Sequence, residues 1–575
     1  MLWYVIDSFF DLVKAYKKTF LILVSVYFIF FTFLIINKEK LKNPHKKPII
    51  FFKDLYYKNT LNTMKFFKLE ITFLVIIFLS LSCQNTITNQ KPNILFIIAD
   101  DASKKSFGAY GNESALTPSF DFLAKKGVLF TNAYNNNPKC SPARASILTG
   151  RYSWQLEEAA NHRPYLSDKW KYYPFLLENS GYFIGYTGKG WGPGKYKDGG
   201  FNRNPAGPIF SSKKKNSNIK GISSNDYSEN FNVFLKQKPE DKPFCFWLGG
   251  HEPHRVFEKG IGLKRGKKLT DIDVPAFLPD TSEIRSDILD YYVEIEWFDS
   301  HLDKILSKLD NMGELENTIV IATSDNGMAF PRAKANCYEF GVHVPLAIMW
   351  TDRYSGNRVA NDPVGFVDLT ATILDAANVV HPNINRPELA PIGDSLIPLL
   401  LSGKSGYIDK SRTHVYSGRE RHSSSRFNNW TYPQRCLRSD EYIYIRNFRP
   451  DRWPAGDPQK FDSIGKLGKM HGGYHDIDAC PTMDFLIENR NHQKYKPFFH
   501  LSVNKRPGEE LFNIKKDPSC LNNLALDPEF LKITQKYRNE MNKFLKATGD
   551  PRANGNGDIW ESYKRYSRMR SFPSP

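Results

Sequence analysis

Asn93-Ile94-Leu95-Phe96-Ile97-Ile98-Ala99-Asp100-Asp101 is an unbroken apolar run that stops on two aspartates. An apolar run without alternation predicts a strand covered on both faces, the signature of a parallel sheet flanked by helices. A second such run, Thr318-Ile319-Val320-Ile321-Ala322-Thr323, stops at Ser324-Asp325-Asn326-Gly327, and a third, Pro243–Leu248, stops at Gly249-Gly250-His251. Ahead of the second run, Ile288, Tyr292, Ile295, Phe298, Leu302, Ile305 and Leu309 recur at helical spacing, predicting a helix over 286–309 that ends near Gly313. Strands alternating with helices imply an α/β fold with a mostly parallel sheet, whose functional groups gather beyond the carboxyl ends of the strands. The two carboxylate pairs and the histidine fall at such ends.

Outward from this frame the pattern changes near residue 405. Short stretches at 413–417, 442–448 and 510–514, separated by Pro/Gly/Asp-rich loops, predict a small antiparallel sheet. Asp527 as N-cap, Pro528, and apolar Phe530, Ile533, Tyr537, Met541 and Phe544 predict a closing amphipathic helix. The expected organisation is a catalytic domain over 92–405 and a C-terminal α+β subdomain over 406–575.

Toward the N-terminus, Thr19–Ile36 is a marginal transmembrane candidate and Ile71–Ser82 has the length of a signal-peptide core. Met64, Lys65 and Lys68 precede the second, and Leu79-Ser80-Leu81-Ser82-Cys83 resembles a bacterial lipoprotein signal. Residues 1–63 are therefore read as an upstream extension, 64–83 as the signal, and 84–91 as a linker. A transmembrane anchor at 19–36 is the competing reading. Either way the body is expected to be exported, as a periplasmic or cell-surface protein held to the membrane by lipid on Cys83. The chain carries a formal charge of +18. The first 83 residues supply 12 − 5 = +7 and the rest 67 − 56 = +11. Lys213–Lys215 is the longest basic run of the body and no nucleic-acid module is visible, so nucleic acid is not an expected partner. The seven cysteines lack CxxC spacing, which excludes a zinc–thiolate site. After Cys83 and Cys140 are set aside, at most two disulfides remain possible.

Cys140-Ser141-Pro142-Ala143-Arg144-Ala145-Ser146-Ile147-Leu148-Thr149-Gly150-Arg151 is the most specific segment. Ser141 as cap, Pro142 in the first turn and Gly150 near the end predict a helix with Cys140 at its N-terminus, where backbone N–H groups favour an anion. Taken alone, such a cysteine reads as a buried thiol. Cys-x-Pro-x-Arg followed by Ala-Ser-x-Leu-Thr-Gly-Arg, however, resembles the signature of the type I sulfatases, whose cysteine is oxidised to formylglycine (3-oxoalanine) by a maturation enzyme. The resemblance runs from Lys91 to about Leu545 and implies an alkaline-phosphatase-like fold.

The resemblance implies one divalent cation, calcium, held by Asp100, Asp101, Asp325 and Asn326 together with residue 140. Oxygen ligands of this kind suit a hard cation. It further implies that a hydrated formylglycine attacks sulfur and then expels sulfate, with Arg144, Lys189 and Lys334 holding the sulfate oxygens. His251 in His251-Glu252-Pro253-His254-Arg255 is expected to protonate the leaving group, and His254 and Arg255 to shape the substrate subsite. Many relatives have Lys-x-His where this chain has Lys189-Gly190-Trp191. Trp191 cannot act as a base, and His162 is one candidate substitute. With Phe330-Pro331 and Tyr432-Pro433-Gln434-Arg435, which adds Arg435 as a substrate-binding candidate, the chain looks closest to the N-sulfoglucosamine sulfohydrolase branch. Exported sulfatases acting on algal polysaccharides such as ulvan belong to the same kinship. A phosphate or phosphonate ester hydrolase of the same fold is the alternative class.

Overall fold

The computed structural model describes residues 91–575, so the expectations for the leader, its two apolar segments, Cys83 and most of the linker lie outside the described residues. Among the described residues thirteen strands occur in chain order. They are β1 (Asn93–Ala99), β2 (Val128–Phe130), β3 (Ala133–Tyr134), β4 (Phe183–Gly188), β5 (Phe244–Gly249), β6 (Thr318–Ser324), β7 (Leu346–Met349), β8 (Arg358–Ala360), β9 (Val364–Gly365), β10 (His414–Arg419), β11 (Gln434–Ser439), β12 (Tyr442–Asn447) and β13 (Glu509–Asn513). The main sheet has seven strands in the order β4-β5-β1-β6-β7-β2-β8. Only β7 runs against the others, pairing antiparallel with both β6 and β2. The four strands β4, β5, β1 and β6 are parallel neighbours.

Their carboxyl ends are level. Gly188 pairs with Gly249, Ile98 with Gly249, and Ala99 with Ser324. The residues following each strand therefore emerge side by side from one edge. The β4 and β5 ends come so close that a Cβ on Gly188 would lie 2.0 Å from the Gly249 carbonyl oxygen, and one on Gly249 would lie 1.9 Å from that of Lys189. Only glycine fits at either position.

Every residue of β1 is buried, as its unbroken apolar run requires. Ile94, Phe96 and Ile98 enter one core, which includes Ile147 and Leu148 of the Cys140–Thr149 helix and Leu369 and Ile373 of the Phe366–Ala376 helix. Leu95, Ile97 and Ala99 enter the other, formed with Phe231 of the Tyr227–Gln237 helix and Ile288, Ile295 and Leu302 of the Ser282–Asn311 helix. The period of two along β1 thus feeds two layers of helices. The long helix starts earlier than its apolar spacing predicts, because Thr281 caps it by accepting from the Ile284 N–H.

The four-stranded antiparallel sheet β10-β11-β12-β13 follows the predicted change of pattern, and the Leu531–Ala547 helix packs Tyr537, Met541 and Leu545 against its Leu437, Tyr444 and Leu511. β11 was not visible as a strand because Arg435 and Arg438 occupy it as buried residues. Six cysteines are free, so no disulfide forms among the described residues. None of the described helices is long and apolar enough to cross a membrane.

Candidate active site

Cys140 is the first residue of its helix, not the residue ahead of it. Lys139 takes the N-cap position and Ser141 lies inside the first turn, with its hydroxyl buried and without a hydrogen-bond partner. Pro142 still occupies the first turn, where its missing N–H costs nothing. All ten residues of this helix are buried, which fixes the cysteine against the strand ends.

Ligand atoms of Asp100, Asp101, Cys140 and Asp325 all lie within 4.8 Å of one another. The Cys140 Sγ is 3.9 Å from Asp101 Oδ1, and Asn326 Nδ2 donates to that same oxygen at 2.7 Å. Asp101 adopts φ 76°, a left-handed conformation uncommon for a residue with a side chain, and its N–H donates to Asp325 Oδ1 at 3.1 Å. The three predicted cations converge on these carboxylates. Arg144 is fully buried, with Nε 2.8 Å from Asp325 Oδ2 and Nη2 3.6 Å from Asp100 Oδ1. Lys189 Nζ lies 2.5 Å from Asp100 Oδ2, and Lys334 Nζ 2.6 Å from Asp101 Oδ2.

A residue the sequence did not single out joins them. Asp478, from the loop ahead of the Pro481–Glu488 helix, accepts from Lys334 Nζ at 2.9 Å and forms a second acidic group with Asp101 and His254. No periodicity or motif marks it; tertiary folding alone brings it in.

Four carboxylates (Asp100, Asp101, Asp325, Asp478) face three fixed cations (Arg144, Lys189, Lys334), a balance of 3 − 4 = −1 when all four are ionised. Burial, and then the charge of Asp100, push Asp325 up to about 7. Burial also works against ionised Asp100, but Lys189, His254 and Arg144 outweigh it and hold that carboxyl well below its usual range. Asp100 Oδ1 and Asn326 Oδ1 are buried with no hydrogen-bond partner. Hard oxygens, two of them orphaned, beside a site short of positive charge fit a divalent oxygen-seeking cation. Such an ion would bring the balance to +1, complementary to one sulfate monoester.

Burial, followed by Asp100, pushes the Cys140 thiol well above its ordinary value. As an unmodified residue it would not supply a thiolate at neutral pH.

His251 stands at the mouth, its backbone N–H bonded to the Tyr227 hydroxyl at 2.9 Å. His251 is exposed by surface area, yet desolvation by the surrounding protein, followed by the charge of Lys189, pushes it down to about 4. His254 is 38% exposed, with Nε2 3.9 Å from Asp101 Oδ2, and so borders the opening. Arg255 departs from its expected substrate-binding role. Its guanidinium is bidentate on Asp287, at 2.8 and 2.9 Å, and is sandwiched between Phe257 and Phe330. Arg435 departs further: it is buried in β11, with Nε 2.7 Å from Asp550 Oδ2 and Nη2 2.9 Å from Glu420 Oε1. Trp191 is buried and donates from Nε1 to the Ser141 carbonyl at 3.2 Å, bracing the start of the cysteine helix. His162 stacks on His422 at 4.7 Å instead of joining the cluster.

With the fold and this cluster in place, comparison with known proteins gives the class. The sulfatase family matches residues 92–379, and the chain belongs to that family; it is a sulfuric ester hydrolase. It is 27% identical over 501 residues to N-sulphoglucosamine sulphohydrolase of Homo sapiens, covering 80% of this chain and 91% of that protein. It is also 27% identical over 466 residues to an ulvan-active sulfatase of Formosa agariphila, covering 80% of this chain and 81% of that protein. Among solved structures, BT4656 in complex with its substrate D-glucosamine-2-N,6-O-disulfate superposes with a TM-score of 0.56 at 17% identity, over 82% of this chain and 99% of that one. That likeness concerns the fold, which is the alkaline-phosphatase-like one of the sulfatases.

Proposed function

We propose that this protein is an exported sulfatase that removes sulfate groups from a sulfated polysaccharide or its oligosaccharides, using formylglycine made from Cys140 and one calcium ion. The observation that carries this reading is a buried Cys140 thiol, raised out of the thiolate range, among carboxylates and three cations paired with them. An oxidised, hydrated residue 140 would supply a hydroxyl nucleophile, and a calcium ion held by Asp100, Asp101, Asp325 and Asn326 would polarise sulfate oxygens.

The chain's own groups do the remaining work. Arg144, Lys189 and Lys334 hold the sulfate oxygens through the change of charge, and being already oriented by their carboxylate partners they need little reorganisation. His251 is neutral in the free site; the negative charge of bound sulfate raises its proton affinity, so it can carry the proton needed by the departing oxygen or nitrogen. His254, half exposed beside Asp101, contacts the sugar. Asp478 holds Lys334 together with Asp101.

The names of the two relatives suggest two substrates: N-sulphoglucosamine or ulvan. We favour a sulfated saccharide in either case, and place the enzyme in the periplasm or on the cell surface, anchored by lipid on Cys83 after maturation of Cys140. Mass spectrometry of the peptide over 133–151 from the native host is expected to show residue 140 as the aldehyde or its hydrate. Desulfation of heparan disaccharides beside ulvan oligosaccharides then assigns the linkage. A persistent thiol at Cys140, or faster turnover of phosphate or phosphonate esters than of sulfate esters, would overturn the reading.

A further inference from the structure

The body carries an excess of positive charge that the active site does not use. One concentration of it lies where three separate segments meet. The 565–571 segment is tied by backbone hydrogen bonds to the 162–163 loop (Tyr566 N–H to the Arg163 carbonyl, 2.9 Å) and to the 460–461 loop (Phe461 N–H to the Ser571 carbonyl, 2.9 Å). Arg565 Nη1 donates to the carbonyls of His162 at 3.3 Å and His422 at 2.8 Å, locking the junction. Four cationic side chains are thereby gathered: Arg163 and Arg568, both exposed, and Lys460 and Arg570, both half-buried.

None of these four makes an ion pair among the described residues. The nearest buried carboxylate, Asp476, is taken up by Arg419 at 2.8 Å and Arg426 at 2.7 Å. Lys460 Nζ meets only the His475 ring at 2.8 Å, and Arg570 only the Ser424 carbonyl at 3.1 Å. Desolvation, then the like charges of Arg570 and Arg568, push Lys460 below the usual lysine range. Arg163 holds a left-handed backbone, φ 58°, that its side chain does not favour. A cluster of like charges with no counter-charge costs stability unless an anionic partner offsets it.

The cluster also lies next to the catalytic pocket. Asp478, which holds Lys334, is two residues from Asp476 and three from His475, at most about 10 Å of extended chain. Asp476 in turn accepts from Ser423 and Ser425, which flank the Ser424 that holds Arg570. His254 and Asp478, in the catalytic cluster, are both part-exposed.

We propose that Arg163, Lys460, Arg568 and Arg570 form a second anion subsite, which binds a further sulfate or carboxylate of the saccharide chain whose sulfate is being removed. Guanidinium groups suit it because they pair with sulfate and carboxylate through two parallel hydrogen bonds. The subsite rests on the saccharide reading given above, and it makes the enzyme prefer a multiply charged oligosaccharide over a small sulfate ester.

The test is the Arg163→Ala/Arg568→Ala double variant, whose side chains are exposed and make no hydrogen bond among the described residues, with Lys460→Ala as an independent second variant. Turnover of sulfated heparin and ulvan hexasaccharides is compared with that of 4-nitrophenyl sulfate at low and high NaCl, and binding to phosphatidylglycerol vesicles is measured alongside. Expected is a fall of about ten-fold in kcat/KM on the hexasaccharide that the wild type cleaves, with unchanged aryl sulfate turnover and a difference that shrinks at high salt. Equal hexasaccharide kinetics, or loss of vesicle binding with hexasaccharide turnover intact, overturns the subsite. Should the wild type cleave neither hexasaccharide, the saccharide reading itself fails. Calorimetric binding of the hexasaccharides then reads the subsite by itself: weaker binding by the variants supports it, and equal binding overturns it.

Discussion

At the scale of single residues, the site is a set of charges that only jointly make chemical sense. Lys189 and Lys334 would each be ordinary as surface lysines; pairing with Asp100 and Asp101 is what fixes them in this cluster. The motif around Cys140 and both carboxylate pairs were legible in the sequence because each is contiguous and follows a strand. Asp478 was not, since nothing local distinguishes it from a solvated aspartate. A His251→Gln variant is expected to lose ~10²–10⁴ in kcat on a sulfated saccharide, and much less on 4-nitrophenyl sulfate, whose leaving group needs no proton. An equal loss on both would deny His251 the proton-donor role. Calcium is expected to raise Tm in a concentration-dependent way, with about 2.7 kcal/mol gained at a hundred times its Kd, and EGTA to reverse it. An Asp101→Asn variant should lack that response; a wild type indifferent to calcium would exclude the ion.

At the scale of elements, one buried group stands out in the long Ser282–Asn311 helix. Glu294 is buried with both oxygens unpartnered, and burial, then the charge of Glu252, push it up to about 9. In the unfolded chain it titrates near ~4.3, so the folded state holds the extra proton between those values. The stability that this neutral form allows is present at low pH and lost as pH rises from roughly 5 toward 9. Glu294→Gln is therefore expected to be close to wild type at pH near 5 and more stable by a few kcal/mol near pH 9, on the order of 1.36 kcal/mol for each unit of separation. Urea unfolding at both pH values checks this, and a pH-independent difference would refute it. The apolar runs of β1, β5 and β6 were readable because burial on both faces leaves no other composition. β11 was not, because two of its buried positions are arginines neutralised by partners far away in sequence.

At the scale of the whole molecule, the C-terminal sheet is joined to the rest through buried ion pairs. Arg435 connects β11 to Asp550 beyond the last long helix, and Arg438 connects it to Glu339 beside the main sheet. Arg435→Ala is expected to destabilise the protein by ~3–5 kcal/mol, because Asp550 is left buried without its partner. KM for the saccharide should stay unchanged, as the guanidinium does not face the pocket; a raised KM with unaltered urea unfolding would return Arg435 to substrate binding. By itself the sequence determined the α/β sheet and the cysteine helix, and it picked out carboxylates and cations that the fold brings together, because continuous burial and contiguous motifs are written in local order. Only the tertiary structure decided that Arg255 and Arg435 are held in buried ion pairs and that Asp478 pairs with Lys334. The physical reason is that a charged side chain's role depends on which opposite charge folding brings within a few ångströms, and those partners lie tens to hundreds of residues away.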